Sequence, residues 1–115
     1  MGGSNVRPYE IGRRGEQMVA RAYQNAGARV RRSPGSRGSA DLVARFSDRV
    51  EYVQVKTGAN GRTPAWPKGR ELGALKGRAT RTAGRATAVV AQVDLRRGDF
   101  RRRSARTGRD LSPLR

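Results

Sequence analysis

Asp41, Gln54 and Lys56 are of the types, and at the spacing, that phosphodiester chemistry can use. Asp41 follows a loop-forming run, Pro34-Gly35-Ser36-Arg37-Gly38-Ser39, while Gln54 and Lys56 flank Val55 in a later apolar stretch. Alternate residues of a strand share a face, so Gln54 and Lys56 project together. A carboxylate, an amide oxygen and an ammonium meeting in one place suit Mg²⁺, with Mn²⁺ as the expected substitute. Such a hard cation takes oxygen ligands, keeps several waters and uses substrate phosphate oxygens as well. The metal would polarise the phosphodiester and help to generate hydroxide. Lys56 would orient the attacking water or stabilise developing negative charge. On spacing alone, the same residues also fit a surface strand with a solvated lysine and a capping aspartate. Glu51, the nearest other carboxylate, falls on the opposite strand face.

A hairpin is what must bring Asp41 to the Gln54–Lys56 pair. Ala40 to Phe46 reads as a strand with Leu42, Val43 and Phe46 as its apolar content, and Ser47-Asp48-Arg49 as a tight connection. Val50 to Lys56 follows as its partner, with Val53 and Val55 on one face and Tyr52, Gln54 and Lys56 on the other. Upstream, the spacing of Ile11, Met18, Val19, Ala22 and Tyr23 predicts a helix from about Ile11 to Asn25, stopped by Gly27. Ala28 to Ser33 alternates as a short strand. Downstream, Thr57 to Pro67 is rich in Gly, Pro and Asn and is expected to be a loop that moves without its ligand. A second helix is expected over Lys68 to Arg81, anchored by Leu72 and Leu75 and weakened by Gly73 and Gly77. Thr87 to Leu95 is the most apolar run and is expected to be central; Arg97-Gly98-Asp99 turns into a last strand, Phe100 to Ser104. This order predicts an α/β fold, a mixed central β-sheet flanked by helices. Residues 1–10 are expected to form a flexible N-terminus, 11–104 a single domain and 105–115 a flexible basic tail.

Composition narrows the chemistry further. The chain has no histidine and no cysteine, which excludes Cys/His zinc sites, a histidine base and disulfides. Twenty-six Lys and Arg against nine Asp and Glu give a formal charge of +17, so the expected partner is a polyanion, nucleic acid before an anionic membrane. No stretch is long and apolar enough to span a membrane, and no small-molecule cofactor is expected. With 35% apolar and 5% aromatic residues in 115, the core must be thin and built from Val, Ala and Leu, which points to completion by a partner subunit.

Several separated motifs, in order, resemble the archaeal-type Holliday junction resolvases of the PD-(D/E)xK nuclease superfamily. They are Gly15-Glu16, Arg32-Ser33-Pro34-Gly35-Ser36, Ala40-Asp41-Leu42-Val43-Ala44 and Val53-Gln54-Val55-Lys56. The resemblance spans about Gly12 to Val93. It implies a restriction-endonuclease-like fold used as a homodimer, with two active sites on a basic face that cut opposing strands of branched, four-way DNA. Asp41 is then the metal-binding aspartate, Lys56 the catalytic lysine and Glu16 the helix glutamate near the metal. Arg32 and Ser33 match the Arg-Ser before the glycine loop, and Ser36 lies in the loop approaching the scissile strand. One departure stands out: the family places Glu two residues before its lysine, and this chain has Gln54. An amide oxygen ligates Mg²⁺ without supplying charge, so metal affinity should fall or lean on Glu16.

Arg13, Arg14, Arg29, Arg31, Arg32, Ser33, Arg37, Lys68, Arg70 and Lys76 are the expected phosphate contacts, with Arg78, Arg81 and Arg101–Arg103 extending that surface. Glu16 could instead pair with Arg13 or Arg14. Trp66 could stack on a base or cover a dimer interface. Two other readings stay open: another PD-(D/E)xK nuclease for repair or restriction, and a non-catalytic basic nucleic-acid-binding protein. The expected location is with DNA in the cytoplasm, whether a cell or a virus encodes the chain.

Overall fold

Pro8 opens the first helix, three residues before the expected Ile11. Its fixed φ and missing N–H suit the first turn, where no intrahelical partner exists anyway. A computed structural model describes residues 8–33 and 39–114, and in it α1 runs Pro8–Asn25. Gly27, at φ 98°, ends it in the left-handed conformation that glycine adopts without steric cost. Next come β1 (Arg29–Arg32), β2 (Leu42–Arg45), β3 (Val50–Gly58), α2 (Gly69–Arg81), β4 (Ala86–Asp94) and β5 (Asp99–Ser104). Every element expected from the sequence is present, with no end moved by more than three residues.

The five strands form one sheet in the order β1-β2-β3-β4-β5. Its first three are an antiparallel meander; β3 and β4 are parallel and joined through α2, and β5 returns antiparallel to β4. β3 is the middle strand. β4 lies between β3 and β5, buried without interruption from Ala88 to Val93, which explains its apolar run. At the β1 edge, Arg29, Arg31 and Arg32 are exposed, a charged margin that discourages pairing with another sheet.

Strand alternation divides the core between the two faces. On one, Val19 and Tyr23 of α1 meet Leu42, Ala44, Val53, Val55, Val89, Ala91 and Val93. On the other, Leu75 and Ala79 of α2 meet Val43, Tyr52, Ala88 and Val90. Small side chains let α1 come unusually close: a Cβ added at Gly15 would lie 1.9 Å from Thr57 Oγ1. Gly15→Ala should therefore destabilise the fold by about 1–3 kcal/mol, the cost of overpacking, read as a shift in the urea midpoint. This close approach also sets the next residue, Glu16, beside the end of the sheet.

Glu51 is buried on the α1 face, as its strand parity requires, and is fully engaged there. Tyr23 donates to its Oε1 at 2.6 Å, Arg102 also bonds Oε1, and Arg49 Nε bonds Oε2 at 3.0 Å. Burial alone would raise its pKa, but the hydrogen bonds from Tyr23 and Arg102, the Arg102 charge and the Arg49 bond outweigh that and hold it low.

Two segments differ from expectation. Residues 105–114, expected to be a loose tail, fold back on the sheet. Ala105 is buried and its N–H bonds Ala88 O, Leu111 N–H bonds Arg102 O, and Leu111 and Leu114 add to the α1-side core. Asp110 holds the segment by pairing with Arg101 at 2.7 Å and bridging Arg103. Apolar Leu111 and Leu114 were the sequence signal, masked by the surrounding arginines. The stretch after β3 is also held in place: β3 continues to Gly58, Gln92 Nε2 bonds Pro64 O at 2.8 Å, and Trp66 packs on the α2-side core. Trp66 itself is half-buried there.

Candidate active site

Asp41 precedes β2, one step beyond the Leu42–Val53 pair, and so stands across from Gln54. Its N–H bonds Val53 O at 2.9 Å, and its Oδ2 accepts the Val55 N–H at 2.8 Å. The side chain thereby continues the sheet ladder where β2 has not yet begun, and its position is fixed by backbone. Gln54 and Lys56 lie on the α2 face of β3, as alternation predicts. Both reach Glu71, in the first turn of α2: Lys56 Nζ donates to its Oε2 at 2.8 Å and Gln54 Nε2 to the same oxygen at 3.3 Å. Glu16 comes in from α1 and meets Arg32 at 3.6 Å. Its ion-pair partner is thus Arg32, not Arg13 or Arg14.

Glu16, Ser39, Asp41, Gln54, Lys56 and Glu71 line one cavity of ≈ 290 Å³ at the end of the sheet. Two larger cavities, ≈ 590 and ≈ 380 Å³, lie under the C-terminal segment on the α1 face. Their charged groups, Glu51, Arg102 and Asp110, are already paired with one another or with neighbours. The chemistry-bearing set is in the smaller one.

Burial and mutual charge set the carboxylates of that cavity apart. The Asp41 pKa is raised, by burial first and by the Glu71 charge, against the lowering effect of the Val55 N–H and Lys56. Glu16 is raised too, by burial and by the Asp41 charge, partly offset by Arg32. Glu71 is lowered, first by the Lys56 hydrogen bond. Carboxylates whose proton affinities are pushed apart within one cleft make that cleft the candidate functional site. Among the described residues no three carboxylates converge closely enough to form a ready-made metal cage. The available donors are Asp41, Glu16 and the Gln54 amide oxygen, all hard oxygens. They fit Mg²⁺, which retains waters and shares substrate oxygens instead of requiring a complete protein cage.

Glu71 is the site residue that the sequence did not disclose. The crossover from β3 to the parallel β4 must place the start of α2 above the far end of β3, where Lys56 stands. An acidic residue in the first turn of that helix was the readable signal. Of the expected phosphate contacts, Arg13, Arg14, Arg29, Arg31, Arg32, Lys68 and Arg70 are exposed, and Lys76 and Ser33 partly so. Ser33 N–H bonds Asp41 O at 3.0 Å, which ties β1 to the site. Arg78, assigned by sequence to the basic surface, lies with its guanidinium 4.6 Å from the Tyr52 ring centre and near Ser39 Oγ. Ser36 and Arg37 lie outside the described residues.

The mixed sheet with flanking helices is the restriction-endonuclease-like α/β fold that the motifs implied. Among solved structures, the chain is similar to Hjc, a Holliday junction resolvase from the archaeal hyperthermophile Archaeoglobus fulgidus. The TM-score is 0.69 over 89% of this chain and 79% of that one, with 22% sequence identity. The likeness establishes the fold. No protein-family model matches the chain, and no curated protein sequence does. Among the described residues no helix is long and apolar enough to cross a membrane.

Proposed function

We propose that the chain is a structure-selective, Mg²⁺-dependent DNA endonuclease that resolves four-way junctions by paired phosphodiester hydrolysis. The reading has it act as a homodimer on DNA in the cytoplasm. One observation carries it: Asp41, Gln54, Lys56 and Glu16 line a single cavity in a fold shared with a Holliday junction resolvase. The +17 charge supplies the attraction for phosphate, and Arg32, exposed on β1, stands beside Glu16 of the cavity.

The residues divide the work by chemistry. Asp41, Glu16 and the Gln54 oxygen would hold the metal. Bound there, it would lend Lewis-acid polarisation of the phosphoryl group and acidify a water. Asp41 keeps a fixed orientation through Val55. Lys56, drawn to the cavity by Glu71, places its ammonium where negative charge develops on phosphate oxygens.

The test is incubation with a four-way junction, a linear duplex and a flap, in Mg²⁺, Mn²⁺ or chelator. Symmetric paired cuts on the junction alone, abolished by chelator, are the expected outcome. Equal cutting of linear duplex would replace this reading with a repair or restriction nuclease of the same superfamily. Tight binding with no cleavage of any substrate would leave a non-catalytic DNA-binding protein. Gln54→Glu should keep or raise the junction cleavage rate, since a carboxylate ligates Mg²⁺ through the same kind of oxygen and adds charge. Complete loss of cleavage would show that the amide itself is required.

A further inference from the structure

We propose that Tyr9 is a stacking platform for an unpaired nucleobase of the DNA strand whose phosphate enters the active-site cavity. The inference rests on the DNA-cleaving reading above and names a feature by which a branched substrate differs from a duplex. Its ground is one exposed ring in a fixed relation to the site. Among the described residues Tyr9 is the one large apolar side chain left exposed, at 74%.

A single exposed ring is ordinary on a protein surface, so its place on the helix decides what it can do. Tyr9 and Glu16 stand seven residues apart on α1. Seven residues make almost two turns, so the two side chains project along one stripe, within about 20° of each other. Glu16 lines the cavity, and Tyr9 stands about 10 Å outward along the same stripe. Between them Gly12 keeps the surface low: a Cβ added there would meet nothing within 4 Å. Arg13, one turn on from Tyr9, is exposed beside this shelf, and Arg32 is exposed where it meets Glu16. The other claimant to the ring is a second copy of the chain. A polyanion suits the neighbouring arginines better than a protein that brings the same +17 charge. Nucleotides of a stacked strand rise about 3.4 Å each, so the ring meets a base about three nucleotides from the phosphate in the cavity. Inside a continuous duplex that base has both faces covered. At a branch point it can leave its neighbour and lay one face on the phenol, a contact open to every base.

The experiment measures DNA binding by the full chain in chelator, so that no cutting intervenes, beside a thermal melt and sedimentation. The DNA is a four-way junction or a linear duplex, with fluorescent aminopurine set in turn at each position around the branch. Tyr9→Ala should weaken junction binding by about tenfold, the scale of one lost stacking contact, and leave duplex binding unchanged. Tyr9→Phe, which keeps the ring, should bind like the parent. Aminopurine fluorescence should shift at one position in the parent and in Tyr9→Phe, and not in Tyr9→Ala. Unchanged junction affinity in a folded Tyr9→Ala protein overturns the proposal. So does an equal loss on junction and duplex, or fluorescence that is indifferent to Tyr9 at every position. A changed oligomeric state of Tyr9→Ala without DNA gives the ring to a second copy and also overturns it. If the parent binds no junction, the proposal falls too. If Tyr9 governs junction binding as expected yet the parent cuts no junction, the inference stands and the resolvase reading falls. If the parent cuts junctions and Tyr9 is indifferent, only the inference falls.

Discussion

Asp41→Asn should abolish junction cleavage while leaving junction binding in place. Asparagine keeps the size of the side chain and an oxygen that can accept the Val55 N–H at the 2.8 Å contact, so the fold should survive. What it loses is the charge aimed into a cavity where burial already makes charge expensive. Removing one electrostatic contributor to a transition state typically costs about 10²–10³ in rate. Removing an anionic metal ligand should cost at least that. Junction affinity in chelator should stay equal or rise slightly, since a negative charge has been deleted beneath a polyanion. Lys56→Met should lose cleavage on a similar scale by a different route, with Mn²⁺ affinity retained. Single-turnover cleavage of a labelled junction measures both. Cleavage that survives both substitutions would remove the site from this cavity altogether.

The largest expected change in stability belongs to Glu51. Its carboxylate joins Tyr23, Arg49 and Arg102, and the Arg102 side chain is only 9% exposed. Truncating one partner of a buried pair leaves the other charge unmatched and typically costs about 3–5 kcal/mol. For a domain with a thin core this is a large share of the total, which for folded domains is roughly 5–15 kcal/mol. Glu51→Ala should therefore be poorly folded at room temperature, and Glu51→Gln clearly destabilised in urea. The pH dependence has a definite sign. The folded carboxylate holds its proton less tightly than the ordinary value of 4.5, so its contribution is full above that value and fades as the pH falls through the lower folded one. The gap in stability between the parent chain and Glu51→Gln should accordingly be widest near neutrality and narrow in acid. A constant gap from pH 7 to pH 3 would show that hydrogen bonding, not ionisation, carries the contribution.

Much of the site was legible because its members lie on short, regular pieces. Strand parity placed Gln54 with Lys56, the hairpin placed Asp41 opposite them, and parity again sent Glu51 to the other face. Glu16 came from the resemblance, and its mechanical reason emerged only with the contact between Gly15 and Thr57. Glu71 was hidden because its position depends on the hand of a crossover and the height at which α2 begins, neither of which has a local pattern. Arg102 was hidden for a related cause: among so many arginines, nothing in the sequence marks the one that will be buried. The same excess of basic residues made the segment after β5 read as loose, although two leucines in it join the core.

The network around Glu51 also has a consequence for how the chain is made. Besides nearby Arg49, its partners are 28 residues before it, at Tyr23, and 51 residues after it, at Arg102. During synthesis α1 and the β1–β3 meander emerge first and can assemble, but they enclose an acidic group whose more buried counter-charge, Arg102, has not yet been translated. The growing polypeptide should therefore hover in a loosened state until β5 leaves the ribosome, then close in one late step. A ribosome arrested before Arg102 should hold a nascent chain that proteases cut readily, and one arrested well beyond the final segment should hold a resistant one.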